Sequence, residues 1–360
     1  MVNHPFLINI MKKKFIVLIL LLSLILLPSL LGSCNKETTK YTSYSFDYFD
    51  TVTSIVGYAK SEEEFNEISE RILEELEEYH KLFTIYHRYE NFENLCTVNE
   101  LVNGEHRTVT VDKKIIDLLE YSKEMYQKTN GKVNIAMGSV LSIWHDYREN
   151  GISDPANAKL PPMEKLTEAS KHTNIEKLII DKNAGTVFLS DPNMKLDVGA
   201  IAKGYAVEMI AKGLENDGIS GYVLNVGGNV RTVGTKGDGE KWVVGIENPD
   251  ENSEESYIAY LELSGESLVT SGSYQRYYIV DSKRYHHIID PETLMPSDKF
   301  LSVSVVCKNS ADGDAISTAL FCMELDEGLE FVNSLSSVEA MWVDVDGNIH
   351  YSNGFKNYIK

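Results

Sequence analysis

Residues Leu196 to Ala206, LDVGAIAKGYA, bring together a carboxylate, two glycines, a lysine and several small residues in what reads as a strand running into a helix. The first N–H groups of a helix have no partner within it, so such a join can hold anionic oxygen. Gly199 and Gly204 would let a ligand come close to the backbone, and Asp197 and Lys203 place opposite charges at the same spot. On its own, so short a segment reads more readily as a tight turn with solvated charges. The rest of the chain has to decide between the two.

Periodicity gives the framework. Ser61-Glu62-Glu63-Glu64 opens as a capping box, and Phe65, Ile68, Ile72, Leu76 and Tyr79 recur at helical spacing. Asp112 can cap a second helix carrying Ile115, Ile116, Leu119 and Tyr126, which stops before Asn130-Gly131. The runs 178–181 and 186–189 around Asn183-Ala184-Gly185 read as a hairpin. Further strands are expected at 222–226, 242–246, 257–263, 277–280 and 303–306. Helices are expected at 200–213, 314–323 and 325–333, and a closing hairpin around Asp346-Gly347. Strands that follow one another without regular helical crossovers predict an α+β fold, with mixed, largely antiparallel sheets and flanking helices.

Lys12, Lys13 and Lys14 precede an apolar run from Phe15 to Leu31, too short for an ordinary membrane span, which ends in Leu31-Gly32-Ser33-Cys34. This pattern predicts a secretory leader over residues 1–33, with Met11 an equally good start as Met1. The L-G-S-C ending resembles a bacterial lipobox, so Cys34 is expected to carry lipid. A polar tether over 34–44 and one domain over 45–360 would follow. The expected location is the bacterial cell membrane, lipid-anchored, on the extracytoplasmic side. Cys96, Cys307 and Cys322 are odd in number and have no metal-type spacing, so they read as core or free thiols. The net charge is −20, and −23 without residues 1–33, which hold three lysines and no acids. That much negative charge excludes a nucleic-acid partner and suits solubility beside an anionic membrane.

Asp314 and Thr318 stand four apart in a helical segment, so their oxygens share one face, an arrangement suited to a hard cation such as magnesium. The same pair also fits an acid near a helix start and a core threonine. His287, in Tyr285-His286-His287-Ile288-Ile289-Asp290-Pro291, could take a hydroxyl proton near neutral pH. Adjacent residues on a strand face opposite ways, so only one of the two histidines can enter a given pocket.

The segments NVGGNVRTVG (225–234), WVVGIENP (242–249), TSGSYQRYY (270–278), RYHHIIDPETLMP (284–296) and ADGDAISTAL (311–320) follow LDVGAIAKGYA in order. Together they resemble the flavin transferases of the ApbE family, which move FMN from FAD onto a threonine or serine of a target protein. The resemblance runs from about Phe49 to the C-terminus. It implies that Asp314, Thr318 and the carbonyl of Ala200 bind Mg2+, with Ser317 standing where some relatives have a further acid. It selects His287 over His286, whose place is usually a serine. It assigns Asp197 and Lys203 to the FAD, with Tyr86, Lys132, Val133 and Asn134 near the ligand and Ser271, Gly272 and Ile289 completing its wall. Gly227-Gly228 reads as a close backbone turn with no chemical role.

The chain departs from the family pattern at several places. Val133-Asn134 replaces phenylalanine or methionine followed by aspartate, and Thr293-Leu294 replaces Thr-Gly. Phe49-Asp50-Thr51 corresponds to an early strand usually written Met-Gly-Thr.

The activity so implied is Mg-dependent transfer of FMN from FAD to a Thr or Ser hydroxyl of exported or membrane-bound target proteins, with AMP leaving. Water in place of the hydroxyl would make the same site a FAD pyrophosphatase. A non-catalytic lipoprotein binding flavin or another solute would need a cleft, but not the combination of Asp314, Thr318 and His287.

Overall fold

A computed structural model of the protein describes residues 38–360. The leader, Cys34 and the start of the expected tether lie outside the described residues.

Eight strands make one sheet: β1 (Thr39–Ser45), β2 (Thr53–Ala59), β3 (Tyr222–Val226), β4 (Asn229–Val233), β5 (Ser267–Gly272), β6 (Phe300–Cys307), β7 (Val338–Asp344) and β8 (Ile349–Tyr351). They lie side by side in chain order, and every pairing is antiparallel. The fold is therefore a meander with other elements inserted into its connections. Inserted between β2 and β3 are α1 (Glu62–Phe83), α2 (Lys113–Lys128), α3 (Gly138–Ser153) and α4 (Ala202–Asn216). Between β6 and β7 come α5 (Ser310–Cys322) and α6 (Leu325–Ser334).

The sheet has a core on each face. Leu224, Val233, Val303, Val305 and Trp342 point toward α1, α4 and α5, where Ile72, Leu76, Ile210, Ile316 and Leu320 are buried with them. Val223, Val230, Leu268, Val306 and Met341 point the other way, onto a hairpin (Trp242–Glu247 with Tyr257–Leu263) that contributes Trp242, Ile246, Leu261 and Leu263. Strands covered on both sides have no solvent face, which is why all of β4 is buried and its sequence lacks the simple alternation of β2. A third cluster joins α3 to the hairpin Tyr277–Val280/Lys283–His286 through Val140, Trp144, Tyr278 and Ile289.

The α1 periodicity places Phe65, Ile72, Leu76 and Tyr79 inside, and Ser61 caps it by accepting from Glu64 N at 3.2 Å. Glu64 reaches one residue further back than a capping box requires, accepting from Lys60 N at 2.8 Å. Asp112 caps α2 through Lys114 N at 2.7 Å. Both expected hairpins form.

Four expectations need correction. Residues 39–44 are not tether but most of β1, whose Tyr41 stacks on Phe65 of α1 with ring centroids 5.5 Å apart. Serine, threonine and tyrosine suffice for an edge strand, because only one flank of it has to pair. Leu196-Asp197 is not a strand. Lys195 makes a single bridge to Met137, and the backbone of Leu196 is paired by a side chain, Asn99, instead of by a neighbouring strand. Phe49-Asp50 is a turn, both residues lying at positive φ (54° and 51°), with β2 beginning only at Thr53. Finally α3, β4 and β5 went unpredicted. Leu294 adopts φ 59°, a conformation that favours glycine; its half-buried side chain packs in the α3 cluster and its carbonyl accepts from Trp144 Nε1 at 2.9 Å.

Candidate active site

A cleft opens where the start of α4, the middle of α5, the end of β5 and the segment after the 283–286 strand converge. Tyr86, Lys132, Val133, Asn134, Asp197, Ala200, Lys203, Ser271, Gly272, His287, Ile289, Asp314 and Thr318 all line it. Residues up to 232 apart in the chain thus reach one place, because α4 and α5 pack side by side against the sheet.

Of the two carboxylates lining the cleft, Asp314 is the more buried, 4% exposed. Its Oδ2 accepts from Gly204 N at 2.8 Å, and its Oδ1 stands 3.8 Å from Lys203 Nζ and 3.4 Å from Asn229 Nδ2. Burial pushes its carboxyl above the usual carboxylate range, opposed by the Lys203 charge and the Gly204 N–H. Gly204 has a different role from the expected one. A Cβ there would sit 2.4 Å from Ser310 O and 2.5 Å from Asp314 Cβ, so the glycine lets α4 and α5 touch and does not make room for a ligand. One turn beyond Asp314, Thr318 Oγ1 lies 3.5 Å from Ser271 Oγ. Ser317 is fully buried and bonded to Ser271 Oγ at 2.8 Å.

Asp197 is held from three sides. Asn99 Oδ1 accepts from Leu196 N at 2.7 Å and its Nδ2 donates to Leu196 O at 2.9 Å, while Asp197 N donates to Ile135 O at 2.8 Å. Its carboxylate accepts from Gly199 N at 2.9 Å, and burial raises its pKa.

The paired histidines do divide, although the strand ends at His286 and alternation along it does not place His287. His286, the last residue of its strand, is buried; its Nε2 donates to Ser297 O at 2.6 Å and its Nδ1 accepts from Ile288 N at 3.2 Å, so both nitrogens are taken. His287 lies just past the strand and lines the cleft, with a buried Nδ1 that has no partner. Burial first, then the charges of Arg276, His286, Lys203 and Arg148, lower its pKa to about 3, so the ring is neutral at pH 7.

Other lining residues are less available than the sequence implied. Asn134 spends its carboxamide on backbone, accepting from Ala136 N at 2.9 Å and donating to Thr173 O at 2.9 Å. Lys132 pairs with Glu292 at 2.7 Å and lies 3.9 Å from the buried Asp290. Val133 is core, 2% exposed. Tyr86, 52% exposed, has its ring centroid 5.0 Å from that of His145.

Asp197, Ala200, Asp314 and Thr318 line the cleft together with four cations, Lys132, Arg148, Lys203 and Arg276. Among the described residues no group of three or more His, Cys, Asp or Glu is disposed to hold a metal. Such a site suits phosphate together with a hard cation that keeps part of its coordination for the phosphate.

The sequence model of the ApbE family matches residues 49–342. The chain belongs to the ApbE family. It is 32% identical over 247 residues to the FAD:protein FMN transferase of Klebsiella pneumoniae (strain 342), a match spanning 68% of this chain and 73% of that one. Its identity to the FAD:protein FMN transferase of Haemophilus influenzae is 27% over 311 residues, 83% and 85% of the two chains. The ApbE protein of Thermotoga maritima has the same fold, with a TM-score of 0.77 at 27% identity over 89% of this chain and 100% of that chain. The flavin transferase ApbE of Vibrio cholerae gives a TM-score of 0.72 at 22% identity, over 89% and 99%, a likeness of fold alone.

Against the ApbE-family pattern, sequence reasoning missed Asn229, His145, Arg148 and Arg276 in the cleft wall. His145 and Arg148 belong to α3, the unpredicted helix. Arg276 lies within TSGSYQRYY, where its charge was the available signal; its Nη2 donates to Asp50 O at 2.9 Å and Phe49 O at 3.2 Å, tying the 49–50 turn to the cleft mouth. Asn229 follows Gly227-Gly228, whose φ values of 55° and 88° make the tight β3–β4 turn.

Proposed function

We propose that the protein is a Mg-dependent FAD:protein FMN transferase, moving FMN from FAD onto a Thr or Ser hydroxyl of exported target proteins with release of AMP. The observation that carries this is the meeting of Asp314, Thr318, Lys203 and His287 on one cleft in a chain of the ApbE family. Asp314, Thr318 and the Ala200 carbonyl would hold Mg2+, which would neutralise phosphoryl charge. Lys203, Arg148 and Arg276 attract the pyrophosphate and orient it.

The target hydroxyl oxygen forms a bond to the FMN phosphorus, the bond from that phosphorus to the bridging oxygen breaks, and AMP departs with that oxygen. The hydroxyl proton passes to His287, which is neutral and has an unpartnered nitrogen. The cations that depress His287 are those the pyrophosphate faces. Bound FAD would offset the charge part of the depression, while burial, its first cause, remains. Ser271, Gly272 and Ile289 form the wall, and Tyr86 offers an exposed ring at the mouth. The leader over 1–33 would direct export and be removed, and lipidation at Cys34 would anchor the domain outside the cytoplasm beside its targets. Among the described residues no helix is long and apolar enough to cross a membrane.

The test is to incubate the protein with FAD, Mg2+ and exported proteins bearing candidate threonines, and to follow intact mass. The expected result is a mass gain of one FMN on the target. Asp314→Ala should lower the rate by at least about 100-fold, as losing several kcal/mol of charge stabilisation demands, while the chain stays folded. Full transfer without metal, or by the Asp314 variant, would refute the assignment. Free FMN and AMP with no target labelled would identify water as the acceptor.

A further inference from the structure

Asn229 is 2% exposed, lines the cleft at the first position of β4, and its carboxamide oxygen has no hydrogen-bond partner. A buried unpaired carbonyl costs roughly 1–3 kcal/mol, so a fold that keeps one at a ligand cleft points to a partner arriving with the ligand. Its amide nitrogen lies 3.4 Å from Asp314 Oδ1. Turning the carboxamide over would set oxygen against the carboxylate, which fixes Nδ2 toward Asp314 and leaves Oδ1 as the free end.

The backbone explains how the residue gets there. Gly227 N donates to Val52 O at 3.1 Å and Gly228 N to Asn225 Oδ1 at 3.1 Å, locking the two-glycine turn that delivers Asn229 beside α5. A Cβ on Gly227 would meet Thr51 Oγ1 at 2.4 Å, so the turn lies against Thr51 too closely for a larger residue. The glycine pair given no chemical role in the sequence is thus the mount for a polar group of the site.

We infer that Asn229 is a positioning residue for the cation, its side-chain oxygen accepting a hydrogen bond from the cation's hydration shell while its nitrogen orients Asp314. This rests on the magnesium reading above. Small divalent cations retain several waters, and each needs an acceptor. The protein groups that accept from them typically account for 10- to 100-fold in metal affinity. Asn229 would meet that need with an oxygen one amide width from the nitrogen that touches the carboxylate.

The experiment is a Mn2+ titration of the full-length protein, read by the electron paramagnetic resonance of free Mn2+, alone and with ADP as a non-transferable pyrophosphate. Wild type, Asn229→Ala, Asn229→Asp and Asp314→Ala are compared, with circular dichroism as the check on folding. Asn229→Ala is expected to weaken Mn2+ by about 10-fold or more. Asn229→Asp decides between roles: it keeps the acceptor and adds charge, but it cannot donate to Asp314. Tighter Mn2+ binding than wild type supports the inference. Binding as weak as in Asn229→Ala means that the contact to Asp314 is the whole contribution of Asn229, and overturns the role given to its oxygen. Wild-type affinity in Asn229→Ala, with binding lost in Asp314→Ala, also overturns it but leaves the magnesium reading standing. No Mn2+ binding by wild type under either condition overturns both.

Discussion

The backbone N–H of Gly204 donates to Asp314 Oδ2 at 2.8 Å, so a free N–H in the first turn of α4 is taken up by a carboxylate of α5. The helix start that the sequence offered as a phosphate cradle is in part an internal clasp between two helices. Through it, the LDVGAIAKGYA segment sets the place of a residue more than a hundred positions further on.

Gly204→Ala should therefore damage both stability and the site. The added methyl would press on the Ser310 carbonyl at 2.4 Å, a backbone atom that cannot rotate away. Overpacking of this kind costs about 1–3 kcal/mol. A lower urea midpoint together with slower FMN transfer is expected, and unchanged values of both would contradict the clasp.

The two histidines should fail in different ways. His287→Ala should slow single-turnover transfer by roughly 10²–10⁴-fold with FAD affinity largely kept, as for loss of general-base help. His286→Ala removes a buried donor to Ser297 O and an acceptor for Ile288 N, so it should cost about 1–3 kcal/mol of stability while leaving the chemical step much less affected. Equal rate losses in the two, or a His287 loss explained by weaker FAD binding, would remove His287 as the base.

Acid should reveal His287 in a second way. Its folded pKa of about 3 lies below the ordinary 6.5, so between those values the unfolded chain binds the additional proton. This residue therefore makes the protein less stable as pH falls from 6.5 toward 3. Asp197 and Asp314, raised by burial, act with the opposite sign, giving stability that is lost as pH rises through their folded values. Urea midpoints of wild type and His287→Ala at pH 7 and pH 5 isolate the histidine, and the variant should lose less on acidification. Parallel losses would show that His287 is not held neutral by the fold.

The tether can be located by truncation. A chain starting at Thr38 should be as stable as one starting further upstream, whereas a chain starting at Phe46 loses β1 and the Tyr41–Phe65 stack and should unfold at lower temperature. Cys34→Ser should remain active and leave the membrane fraction; retention of the variant through an acyl chain would sink the lipobox reading.

The sequence by itself determined whatever depends on near neighbours in the chain. Apolar spacing gave α1 and α2, Ser61 and Asp112 their caps, and the Asp346-Gly347 turn its hairpin, because capping and periodicity act within a few residues. Ordered motifs gave the family and every residue expected in the cleft. Only the tertiary structure decided what those residues are free to do. Lys132 and Asn134 reach the cleft with their polar groups already taken by Glu292 and by backbone, and Gly204 serves helix packing. β4 hid from pattern reading because it is buried on both faces, and Asn229 was hidden with it. Whether a buried polar atom has a partner depends on chain segments that meet only when the sheet and helices close, and no local pattern records that meeting.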